Sequence, residues 1–121
     1  MVEMGIVITL FLLIVLGIME FGSAFMVTQA VVSAARDGAR KAAVTSNLGA
    51  NDRRVAAVAF ERLRPVGLCD APTVTNNKPV KVGDTVRVHV HCQYRLITKV
   101  DWFNQLKGFA IDREAAMYWE G

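Results

Sequence analysis

Hydrophobic positions run almost unbroken through the first third of the chain and then change period. Residues 4–19 contain no charged side chain, Glu20 interrupts, and residues 21–35 are uncharged again. Such a run reads as one helix over residues 1–43. At 1.5 Å per residue that helix is about 65 Å long, more than the ~30 Å hydrocarbon core of a bilayer. Its first half suits lipid, and its second half must emerge and pack on protein. Residues 45–52, Thr-Ser-Asn-Leu-Gly-Ala-Asn-Asp, read as a break, with Asn51 or Asp52 capping a second helix. Val55, Val58, Ala59 and Leu63 recur there at helical spacing, and Pro65 ends it.

Beyond Pro65 the period becomes two. Across residues 85–96, Val86, Val88, Val90, Cys92, Tyr94 and Leu96 face one way, while Arg87, His89, His91, Gln93 and Arg95 face the other. This is a strand with one wet face. Thr73-Val74-Thr75 and Val80-Lys81-Val82 flank a turn-like stretch over residues 76–79. Residues 109–119 place Phe109, Ile111, Ala115, Met117 and Trp119 at odd positions; a third strand is the expectation, with a helix as the alternative. The sum is an α+β plan: a long hydrophobic N-terminal helix (residues 1–44) packed on a small antiparallel β-sheet in an extracytoplasmic globular domain (residues 45–121).

Charge sharpens this division. All fourteen Lys and Arg lie from Arg36 onward, and the net charge is only +3. Acidic residues are interspersed among the basic ones, so a nucleic-acid groove is not expected. The two cysteines, Cys69 and Cys92, make one disulfide if the rear part lies outside the cytoplasm, contributing roughly 3 kcal/mol; two buried free thiols are the alternative. No CxxC pair is present, which argues against zinc.

A discarded signal peptide fits poorly, because no Lys or Arg precedes the apolar run. A plain anchor conflicts with itself. Arg36, Arg40 and Lys41 would hold the following segment in the cytoplasm, while the cysteines favour the other side. A basic leader that once preceded Met1 and was removed resolves the conflict. Small residues populate the helix, among them Gly17, Gly22 and Gly38. Glycine in a helix costs about 1 kcal/mol against alanine, so these point to close packing or to local melting during assembly; an ordinary flexible helix is the alternative.

Candidate chemistry is sparse. His89 and His91 share a strand face, but no third metal ligand accompanies them, and solvent-facing histidines are expected. Asp112 and Glu114 read as a solvated face, and Trp102-Phe103 as core or interface packing rather than an adhesive patch. No Ser-His-Asp spacing, HExxH motif or phosphate-binding glycine loop occurs. Neither an enzyme nor a cofactor is expected.

Four motifs in the front third belong together: Val2-Glu3-Met4, Gly17-Ile18-Met19-Glu20-Phe21-Gly22, Gln29-Ala30 and Ala34-Ala35-Arg36-Asp37-Gly38-Ala39-Arg40. In this order they resemble the N-terminus of TadE-like pilins, from the tight-adherence (Tad or Flp) branch of the type IV pilus superfamily. The rear resembles that family only loosely, through Arg113-Glu114 near the end. The resemblance implies cleavage by a prepilin peptidase, residence in the inner membrane, then polymerisation into an extracellular pilus, with copies of itself and other Tad pilins as partners. It matches Glu3 to the carboxylate that pairs with a neighbouring subunit's N-terminal amine, although that carboxylate usually stands fifth and here stands third. Glu20 is expected to meet Arg36 or Arg40 of an axially shifted neighbour. The competing reading is a single-pass membrane-anchored binding module, or a minor pseudopilin. An anchored module would have no need of Glu3 and Glu20.

Overall fold

The computed structural model describes residues 1–95 and 110–121. Helix α1 runs unbroken over Val2–Ala43. It contains no proline, and the hydroxyls of Thr9, Ser23 and Thr28 satisfy themselves internally. Thr9 Oγ1 donates to the Gly5 carbonyl at 2.8 Å, Ser23 Oγ to Met19 at 2.6 Å and Thr28 Oγ1 to Ala24 at 2.9 Å. No hydroxyl on the exposed half therefore needs water. The helix ends at Val44, where Thr45 Oγ1 folds back to the Lys41 carbonyl at 2.6 Å.

Helix α2 spans Arg53–Leu63 and buries Val55, Ala59 and Leu63, with Val58 half-buried. Asp52 is its cap, accepting from the Arg54 amide at 2.9 Å. The Arg54 guanidinium beside it holds the Asp52 carboxyl well below the usual carboxylate range. A depressed folded pKa stabilises the fold above the unfolded value of about 4 and stops doing so as pH falls through the folded one. Asp52→Asn keeps a capping oxygen but cannot titrate. The native chain should therefore lose stability more steeply than Asp52→Asn below about pH 4, as read from denaturant midpoints. Parallel curves would show that the carboxylate adds nothing to the cap.

Three antiparallel strands follow in the order β1-β2-β3: β1 Cys69–Asn76, β2 Thr85–Tyr94 and β3 Ala110–Tyr118. β2 buries Val86, Val88, Val90, Cys92 and Tyr94 against the helices, as the alternation requires. β3 is a strand, not a helix, and pairs with β2 without interruption from Thr85↔Tyr118 to Gln93↔Ala110. Leu96, Phe109 and the Trp102-Phe103 pair lie outside the described residues.

Two local expectations change. β1 begins earlier than the Thr-Val-Thr pattern indicated, and Val80-Lys81-Val82 is loop. The Asp84 carboxylate accepts from the Val80 and Lys81 amides at 2.9 and 2.8 Å, so these donors turn into the loop instead of a strand ladder. Val80 and Val82 consequently stand exposed.

The core lies between the sheet and the second half of α1, where Val27, Val31, Ala34, Ala35, Gly38, Ala39, Ala42 and Ala43 are buried. Near the far end of the helix, Trp119 Nε1 donates to the Thr45 carbonyl at 3.0 Å and the Glu120 amide to Ala43 at 2.9 Å. Asn76 is the buried polar residue that joins β1 to the α1–α2 loop. Its Oδ1 accepts from the Asp52 amide at 2.8 Å, and its Nδ2 donates to the Gly49 and Asn77 carbonyls at 2.8 and 3.1 Å. Removing it strands buried groups, so Asn76→Ala should destabilise the fold by about 1–3 kcal/mol. An unchanged denaturation midpoint would mean that water replaces these bonds without loss.

Candidate functional site

The exposed half of α1 is the most distinctive surface of the molecule. From its start to Met26 the helix has no buried side chain; Phe21 is 78 % exposed and Leu13 69 %. An apolar surface on every side of a helix is stable only in lipid or inside other protein. The helix is long and apolar enough to cross a membrane.

Tyr94 marks where the folded body begins. It is the last inward residue of β2, and its hydroxyl donates to Glu20 Oε1 at 3.0 Å. Burial raises the Tyr94 pKa, and the adjacent Glu20 carboxylate raises it further. Residues 2–19 lie beyond this contact and span about 27 Å, close to the ~30 Å of a hydrocarbon core. Sequence reasoning did not find Tyr94, which is 74 residues away in the chain. The available signal was a tyrosine at the end of an otherwise aliphatic inward stripe, because a buried hydroxyl needs a partner.

The remaining candidates fall in separate places. Glu3 is exposed in the first turn of α1, where the helix dipole favours a carboxylate. Arg36 and Arg40 are exposed one turn apart on the second half. They lie about 24 and 30 Å along the axis from Glu20 and cannot reach it within one chain. The glycines separate as well. A Cβ on Gly17 or Gly22 would meet nothing within 4 Å, whereas one on Gly38 would sit 3.1 Å from Val88 Cγ1. Gly38 thus lets α1 approach the central strand.

Cys69 and Cys92 form a disulfide with Cα atoms 5.6 Å apart. It ties β1 to the buried side of β2 beside an irregularity in the ladder between Asp70 and Thr73. On the outer face of the sheet, His89 Nε2 lies 3.1 Å from Glu114 Oε2, and its Nδ1 lies 4.0 Å from Asp112 Oδ1. Among the described residues no three His, Cys, Asp or Glu side chains are placed to hold a metal ion.

A freely projecting apolar helix with a carboxylate near its start, a second where it meets the body, and two arginines beyond is the arrangement to compare with known proteins. Residues 1–40 match the family model of TadE-like protein. The TadE-like segment thus takes in Glu3, Glu20, Arg36 and Arg40 and stops within α1, before α2 and the sheet. No curated protein and no solved structure matches the chain.

Proposed function

We propose that the chain is a structural pilin-like subunit that assembles through α1 into a Tad or type IV-like pilus serving adhesion or surface attachment. The observation that carries this reading is α1 itself, one continuous helix whose second half is the core of a folded body and whose first half is an uncovered apolar rod. Before assembly the rod sits in the inner membrane, and a prepilin peptidase removes a leader ahead of it. On assembly the rod leaves the lipid and packs among the rods of other copies or of other Tad pilins. Lipid is as apolar as the rod, so close packing and pairing of polar groups must favour the bundle. The disulfide supports an oxidising location for the body outside the cytoplasm.

Glu20 is an assembly residue in this reading, held in position by Tyr94. Glu20→Ala should lower filament yield while leaving the chain in the membrane fraction. Normal filament yield from that variant would remove Glu20 from the mechanism.

The decisive experiment shears surface structures from the source cells, images them by cryo-electron microscopy and identifies their subunits by mass spectrometry. Filaments built along their length from this chain, with α1 in the core, would establish a principal pilin. A second reading, a minor pseudopilin or a single-pass anchored binding module, draws on the match between the ~27 Å projection and one bilayer. Filaments lacking the chain, with the chain left in the membrane, would favour it.

A further inference from the structure

Between the second half of α1 and β3 lies a groove of about 560 Å³, lined by apolar Val32, Ala35 and Met117 together with Arg36, Arg40 and Arg113. Its acidic members are already engaged. The Asp37 carboxylate accepts from Arg62 Nε, and Glu114 faces His89 at 3.1 Å and Arg87 at 3.6 Å. Among the described residues none of the three arginines has an ion-pair partner, and Arg113 donates to the Asp112 carbonyl. The groove therefore couples apolar walls to a surplus of positive charge. Its complement is an apolar segment carrying one carboxylate.

The chain itself supplies that segment. Within residues 1–19 Glu3 is the one charged side chain, and Val2, Met4 and Ile6 around it are all exposed. Glu20, the next carboxylate along α1, is half-buried and already accepts from Tyr94, and Asp37 is held by Arg62. We propose that the α1–β3 groove receives the N-terminal end of α1 from a second copy of this chain, with Glu3 of that copy seated against Arg36 and Arg40. This inference rests on the filament reading and names the contact between its subunits. Glu3 and Arg36 lie about 50 Å apart along one helix, so the pair forms only between copies shifted axially by about that distance. A carboxylate that leaves water for a helix bundle needs such a partner.

The test uses the full-length chain in its source cells. The reversals Glu3→Arg and Arg36→Glu/Arg40→Glu should each lower the chain recovered in sheared filaments by at least about tenfold, and the three changes combined should restore it. Because Glu3→Arg can also disturb membrane insertion, a second variant reads proximity directly. Met4→Cys with Val32→Cys, which lines the groove, should give disulfide-linked multimers in filaments, and Met4→Cys alone should not. Filaments that contain the chain but show no such linkage, or that form normally with Glu3→Arg, would overturn the groove contact and leave the pilin reading standing. Filaments that lack even the native chain would overturn both.

Discussion

Gly38→Val is expected to destabilise the folded body by about 3 kcal/mol, whereas Gly17→Val and Gly22→Val leave its stability unchanged. At Gly38 an added Cβ would stand 3.1 Å from Val88 Cγ1, 3.6 Å from Val55 Cγ1 and 3.8 Å from Ala59 Cβ. Val88 and Val55 are themselves fully buried, one in the central strand and one in α2, so neither can swing aside into solvent. Valine's two further methyl groups then have no space, and α1 must lift off the sheet. Alanine is a milder case, because its gain in helix propensity of up to about 1 kcal/mol offsets part of the contact. Denaturant unfolding of the full chain in detergent, followed by tryptophan fluorescence, distinguishes these outcomes. Equal effects at positions 17 and 38 would show that backbone freedom, not packing, is what these glycines provide.

Removing the disulfide has an effect of comparable size. Cys69 and Cys92 are separated by 23 positions, and closing a loop of that length in the unfolded chain is worth about 3 kcal/mol. The stability of a small domain is only about 5–15 kcal/mol, so Cys69→Ala/Cys92→Ala should shift the denaturation midpoint far down. Cys92 is fully buried among the β2 valines, so its truncation adds a packing loss to the entropic one. β1 should be affected first, since the bond sits at the start of that strand, where the pairing is irregular. A midpoint unchanged by the double substitution would mean that the two helices and the sheet hold the body together without the cross-link.

Parts of the candidate site were legible because they depend on composition. The carboxylates Glu3 and Glu20 stand out in an apolar run whatever the fold, and the motifs around them carried the resemblance to TadE-like pilins. The inward stripe of β2 and the cap at Asp52 are equally local. Glu20's contact with Tyr94 was not legible. Tyr94 reaches it only because the sheet lies along α1 in one particular register, which brings together residues 74 apart in the chain. The groove beside Arg36 and Arg40 has the same origin, since Arg113 and Met117 come from β3. The loop at Val80-Lys81-Val82 was misread because its β-branched residues suit a strand, whereas the Asp84 carboxylate claims the amides.

By itself the sequence determined that this protein has an apolar helix longer than a membrane is thick, a short antiparallel sheet with one wet face and two cysteines available to each other. These follow from hydrophobicity and its period, which each segment carries alone. The tertiary structure decided where the rod ends and the core begins, which glycine is packed, what holds Glu20 and which arginines share a groove. Those outcomes depend on how α1 docks on the sheet. That docking is settled by close packing of side chains distant in sequence, which no local pattern encodes.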